Sequence, residues 1–225
     1  MLSMNIFKVN LLKTIYFNLR LFKFKTAIKL PIVLGWHFKI GQIHKGTVEL
    51  KAKPKLGLIK LGCGEGVFGV EPNKHSYWIV KKTAKVIFDG SCGFSKGVSI
   101  RCGDEGVIEF GSGTHFSCNF FIACNTKITI GDDVIGGWNV HIQDADGHHI
   151  YDVTSNKDNE ERKPISIGNH VWVGFDATLL KGAAIADNSV VACKALITKD
   201  FSDKPNAVIG GFPASIIKEN INWKL

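Results

Sequence analysis

The sequence predicts an all-β solenoid, and three observations predict it. Bulky aliphatic side chains recur every six residues, small or β-branched residues recur with the same period four positions later, and after Ile142 the rhythm stops for about two dozen residues. A period of six is too long for the alternation of a strand and does not fit the 3.6-residue turn of a helix. It fits a short strand plus a tight corner, repeated, with three such units closing one triangular coil. A single coil cannot bury its apolar face alone, so the coils must be consecutive.

The longest run starts at Ile167. Aliphatic residues occupy Ile167, Val173, Leu179, Ile185, Val191 and Ile197, with Val171, Ala177, Ala183, Ser189 and Ala195 in the second phase. The same phase holds at Ile130, Gly136 and Ile142, with Val134 and Val140 four later, and more loosely at Phe110, Phe116 and Ile122 and at Phe88, Phe94 and Ile100. Leu179 is therefore expected inside the core, and Lys181, two residues on, in solvent or in a ligand groove. Glycine is frequent (24 residues) and proline scarce (6), and the glycines lie among Val, Ile and Phe, as many short strands with tight turns require.

Ahead of the repeat, residues 4–30 place Ile6, Val9, Leu12, Ile15, Tyr16, Leu19 and Phe22 near helical spacing with Lys and Arg between them. One amphipathic helix, or two, is expected to end before Pro31. The division that follows is a basic helical segment at 1–35, a β-helix domain at 36–205 with residues 143–166 extruded, and a tail at 206–225.

With 45% apolar and 21% charged residues, the 225-residue chain is a packed globular protein rather than a disordered one. Residues 1–60 hold twelve Lys/Arg against one acid, Glu49, so the rest of the chain is slightly acidic although the whole carries +8. The basic excess has no nucleic-acid-binding motif around it, and no nucleic-acid partner is expected. It suits a helix that caps the core first, and a peripheral membrane contact second, since both give a basic amphipathic face. Lys8, Lys13, Arg20, Lys23 and Lys25 interrupt the apolar run where a signal peptide would be unbroken. The expected location is the cytoplasm, with the inner face of the membrane as its variant. Six cysteines without a CxxC pair read as free thiols rather than as disulfides or a zinc site.

The interruption, QDADGHHIYDVTSNKDNEERKPIS, carries the chemistry-bearing side chains: Asp144, Asp146, His148, His149 and Asp152. A long loop inside a compact repeat is more often functional than accidental. Histidine transfers protons near neutral pH, and a carboxylate close by fixes its tautomer.

The stretch IGNHVWVGFDATLLKGAAIADNSVVACKALITKDF and the tail GFPASIIKE resemble the hexapeptide-repeat acyltransferases, over about residues 85–220. The resemblance implies a left-handed parallel β-helix closed by a short C-terminal helix, a homotrimer with sites at subunit boundaries, and acetyl-CoA as acyl donor with no metal. It resembles most the enzymes that acetylate a hydroxyl of a surface-polysaccharide sugar or its precursor. Asp146-Gly147-His148-His149-Ile150 matches the family's D-x-H-x-I segment, which makes His148 the general base and Asp146 its partner. Matching positions assign the cofactor to Gly174, Phe175, Ala192, Cys193, Thr198, Lys199 and Lys218, where Val191-Ala192-Cys193-Lys194 is bulkier than the family's usual Gly-Ala-Gly-Ser. Trp138 and Asp144 are the candidate acceptor contacts, and Trp172 is expected to pack outward or between subunits. Three rival activities are an N-acetyltransferase of a nucleotide-linked amino sugar, a zinc lyase of the β-helix carbonic anhydrase kind using histidines among His115, His141, His148, His149 and His170, and a non-enzymatic scaffold.

Overall fold

The computed structural model describes residues 8–64 and 75–224. Among these, the strands form three sheets of nine, seven and seven members, and the chain visits them in rotation as far as Val208–Gly211. The first coil is Ile32–Leu34, Phe38–Ile40 and Val48–Leu50, and each of these strands pairs in parallel with its counterpart one coil on: Ile32 with Ile59, Phe38 with Ser76, Val48 with Val86. The result is a left-handed parallel β-helix of triangular section. We call its sides the first, second and third faces, in the order of those three strands.

The six-residue phase is the core. Ile167, Val173, Leu179, Ile185, Val191 and Ile197 are all buried, and so are the small residues four positions later. Leu179 stacks between Ile142 and Ile197 in register. Earlier coils are filled by phenylalanines, with Phe88 on Phe110 (5.3 Å, 11°) and Phe116 on Phe120 (3.9 Å, 18°). Gly136 holds an aliphatic slot because the slot is already full: a Cβ there would lie 2.1 Å from the Phe116 ring. The corners are turned by left-handed residues, mostly Asn and Asp, which adopt positive φ most readily after Gly. Asn119, Asn139 and Asp176 hold φ 57–62° on one edge of the prism, and Asn119 donates to Asn139, which donates to Asp176.

The predicted N-terminal helix is α1 (Leu11–Leu21), followed by α2 (Phe24–Ala27); residues 4–7, Ile6 among them, lie outside the described chain. Asn10 caps α1 by accepting from the Lys13 amide. Phe17 and Leu21 enter the core, while Asn18 bonds both backbone groups of Ile32 and the Thr14 hydroxyl accepts from the Leu34 amide. The helix thus covers and satisfies the terminal strand of the first face, which would otherwise be an open sheet edge. No described helix is long and apolar enough to cross a membrane.

Among the described residues of the tail the predicted C-terminal helix is not there. The chain turns at Gly211 (φ 105°) and Ala214–Lys218 runs back antiparallel to Val208–Gly211. A five-residue helix would be marginal in water, whereas ASIIK carries two β-branched residues and finds the unpaired edge of the first face beside it. Beyond it, Ile221 donates to the Asn206 carbonyl and Trp223 stacks on His170 (4.1 Å, 4°), so the tail straps the last coils.

Candidate active site

The arm leaves the fifth coil after strand His141–Gln143, at the edge between the second and third faces. Its exit is fixed by Asp144. That residue is fully buried, and its carboxylate accepts from the amides of Asn125 (2.7 Å) and Thr126 (2.8 Å) and from the Cys124 thiol (3.3 Å). A carboxylate so engaged inside the prism has nothing left for a ligand, which corrects the assignment of Asp144 to the acceptor.

Asp146 is also committed elsewhere. It pairs with Lys181 of the next coil, and the Lys181 ammonium donates as well to the Glu160 carbonyl (2.6 Å). The coil register explains the pairing: Gln143 lies beside Leu180, so the chain leaving Gln143 runs over Lys181. The structure therefore does not bring Asp146 to His148, and Lys181, expected in solvent or a groove, ties the two legs of the arm to the coil. Its side chain is only 17% exposed. Lys181→Ala should raise amide exchange across residues 146–161 by at least about tenfold and leave the melting of the coils within about 1 kcal/mol, because a charge-assisted tether is lost outside the core. Exchange followed by mass spectrometry decides it; unchanged arm amides would show that the backbone alone holds the arm.

Above this base the arm is an antiparallel ribbon. Lys163 donates to the Asp144 carbonyl, Asp146 to Glu161, Asn159 to Ile150, and Asp152 to Lys157. Asp152 closes the tip by accepting from the Thr154 and Ser155 amides and the Ser155 hydroxyl, bonds that hold its carboxyl below the usual range. Gly147, in the left-handed region at φ 81°, turns the chain outward between Asp146 and His148. His148 and His149 stand exposed on the outgoing leg, and within the described residues neither ring has a hydrogen-bond partner. Ile150, Tyr151 and Val153 beside them are more than half exposed.

The predicted cofactor residues fall into three groups. Gly174, Phe175, Ala192 and Cys193 line consecutive coils on the edge between the first and second faces, where Trp138 of the preceding coil stacks on Phe175 (4.7 Å, 9°). Gly174 is required there, since a Cβ would meet the Cys193 amide nitrogen at 2.6 Å. Thr198 and Lys199 are exposed at the opposite edge, below Lys181 and the arm, and Lys218 is exposed on the returning strand. Trp172 is partly exposed near Trp223 (6.3 Å).

Between the two edges runs the outer surface of the second face. It carries a column that the sequence reading did not assemble: His141, named there only among possible zinc ligands, stacks on Phe121 (4.4 Å) and meets the Gln143 carboxamide (3.2 Å), and Arg101 lies over the Phe121 ring (5.3 Å). A groove of about 330 Å³ opens there between His75, Tyr77, Ser99, Arg101, Asn119 and Phe121. The in-register strand pairs, Ser99 beside Phe121 and Phe121 beside His141, are the signal from which this column could have been found.

All six cysteines are free. Burial raises the thiols of Cys92, Cys118 and Cys63, the last to about 12, so none of these three is a thiolate nucleophile at neutral pH. Among the described residues no three His, Cys, Asp or Glu side chains converge to hold a metal ion.

No protein-family model matches the chain. Over 117 residues it is 34% identical to the galactoside O-acetyltransferase of Escherichia coli K12, which is 49% of this chain and 56% of that one. Over 100 residues it is 38% identical to the polysialic acid O-acetyltransferase of Escherichia coli O1:K1, 44% of this chain and 31% of the other. The chain thus spans about half, or less, of the length of these curated relatives. The solved structure of the polySia specific acetyltransferase NeuO shares the fold, with TM-score 0.50 over 87% of this chain and 79% of that one at 23% identity. By its repeat, its sequence relatives and its fold, the chain is related to the hexapeptide-repeat acyltransferases.

Proposed function

We propose that the protein is an acetyl-CoA-dependent O-acetyltransferase that acetylates a hydroxyl of a carbohydrate, in the building of a surface polysaccharide, with His148 as general base. The observation that carries the reading is the arm: a ribbon pinned to the coil by Asp144 and Lys181, with an imidazole held clear of every protein partner described at its side. The sequence relatives acetylate a galactoside and polysialic acid, both saccharides.

In the proposed reaction the acceptor hydroxyl gives its proton to the His148 imidazole as its oxygen attacks the thioester carbonyl. The tetrahedral oxyanion collapses with cleavage of the C–S bond, and the imidazolium returns the proton to the CoA sulfur. The thiols of Cys63, Cys92 and Cys118, raised by burial, are not nucleophiles for this transfer. Exposed Lys199 and Lys218 suit the phosphates of CoA as point charges, Phe175 and Cys193 lie on the donor edge, and Trp138, stacked on Phe175, offers an aromatic face to the acceptor beside it. Asp146 serves by anchoring the arm through Lys181. The groove on the second face, with two aromatic rings, Arg101 and polar neighbours, suits a saccharide ring.

The test is release of free thiol from acetyl-CoA against a panel of neutral, acidic and amino sugars. Acceptor-dependent thiol release with a hydroxyl acceptor is expected. Release only with amino sugars would make the enzyme an N-acetyltransferase, and no acceptor-dependent release across the panel would remove the reading.

The arm also speaks for assembly. Ile150, Tyr151 and Val153 have no core of their own to enter, as expected of a ribbon that packs on a neighbouring copy, and cyclic closure of a prism by three is the family's arrangement. Light scattering at micromolar concentration should give three times the monomer mass, 24.7 kDa; a monomer would put the whole site within one chain.

A further inference from the structure

We infer that α1 and the segment after it form a docking surface for an anionic phospholipid bilayer. Thr14, Phe17, Asn18 and Leu21 are buried against the first coil, which accounts for one side of the helix. At 100° per residue these four span an arc of about 100°, while Leu11, Leu12, Ile15, Tyr16 and Leu19 span about 140° on the other side. All five are exposed, Leu12 by 82%. A helix that caps a core needs one apolar side; this one has two, and the second is solvent-facing.

The apolar surface continues past the helix. Phe24 and Ile28 are exposed by 73% and 57%, and so is Trp36 by 56%, whose carbonyl accepts from Lys13 at the border of the outward arc. Along this segment of the chain the charge is of one sign. Arg20, Lys23, Lys25 and Lys29 are exposed, and residues 8–48 contain eight Lys/Arg and no acid. A large apolar patch with a rim of cations, bearing Leu, Phe and Trp, is what an interfacial helix presents to anionic headgroups. The same charge argues against a second copy as the occupant, since a self-complementary contact would set this basic rim against itself. A polyanion such as RNA would engage the rim and leave five apolar side chains in water.

The placement leaves the arm free. The strand before the arm is four coils from the strand Phe38–Ile40, roughly 19 Å along the axis at about 4.8 Å per coil. A docked molecule therefore holds its proposed site off the membrane plane, uncovered.

The experiment is co-sedimentation of the full chain with vesicles of phosphatidylcholine alone and of phosphatidylcholine with phosphatidylglycerol. Binding is expected to the anionic vesicles, weak or absent on the neutral ones, and to fall with salt. Leu12→Asp with Leu19→Asp should lower partitioning by at least about tenfold, and Lys23→Glu with Lys25→Glu by at least about tenfold through the charge alone. Both pairs lie on exposed positions, so melting should be unchanged, and so should thiol release with any soluble acceptor the wild type uses. The inference is overturned if the wild type ignores anionic vesicles at low salt, if Leu12→Asp with Leu19→Asp binds them as well as wild type, or if that variant instead dissociates a homo-oligomer, which would give the patch to a second copy. None of these outcomes depends on the acetyltransferase reading, whose own test is thiol release.

Discussion

His148→Ala should lower acetyl transfer by about 10²–10⁴-fold while leaving the melting temperature and donor binding unchanged. The magnitude is that of removing a general base. The separation of effects follows from geometry: His148 is exposed, has no described partner, and stands on a ribbon whose anchors are the Asp144 carboxylate and the Lys181 ammonium. Truncating it removes no packing and no hydrogen bond within the described chain. The neighbouring His149 is the internal control. The proposed reaction uses one base, so only one imidazole of the pair is needed for transfer. The D-x-H-x-I match selects His148, and His149→Ala should stay within a few-fold of wild type. If His149→Ala loses transfer and His148→Ala keeps it, the two have been assigned the wrong way round; if both keep it, the arm carries no base.

Much of the fold was legible because a solenoid repeats its own reasoning. One phase, read from Ile167 to Ile197, places eleven side chains in the core, and the point where it stops locates the arm. The parts not legible are those in which the phase does not decide the outcome. Asp144 and Asp146 look alike as acids of a loop, and only the coil register separates them. Gln143 lies beside Ala123 on one coil and Leu180 on the other, so Asp144 sits next to Cys124 and the amides that follow it, and the arm passes over Lys181. Counting coils rather than reading the loop alone would have found both partners. The C-terminal segment was misjudged for a different reason: its residues permit helix or strand, and the open edge of the first face chose. The outward arc of α1 was hidden by the assumption that an amphipathic helix has one apolar side, whereas this helix buries Thr14 and Asn18 against backbone and keeps Leu11, Leu12 and Leu19 outside.

Leu179→Ala should destabilise the protein by roughly 2–5 kcal/mol, and Leu180→Ala by well under half as much. The two residues are adjacent, carry the same side chain, and undergo the same truncation, so helix or strand propensity and composition cancel between them. What differs is the side of the second face they occupy. Leu179 is fully buried between Ile142 and Ile197, held in register one coil away on either side. Those neighbours are themselves fixed by parallel ladders and cannot close the space a missing isobutyl group leaves, so the loss of transfer free energy is joined by the cost of a cavity. Leu180 points outward and keeps partial access to water, which makes its truncation a surface change with only part of the apolar area to lose. Because each coil is stabilised chiefly by its neighbours, the Leu179 variant should also open the coils below the arm first, and amide exchange of Val173–Ile197 should rise ahead of Phe88–Ile122. Chemical denaturation with constant slope measures the first effect. Equal shifts for the two leucines would mean that the six-residue phase does not set which side chains fill the prism, and the edge on which Gly174, Phe175, Ala192 and Cys193 align would lose its register with it.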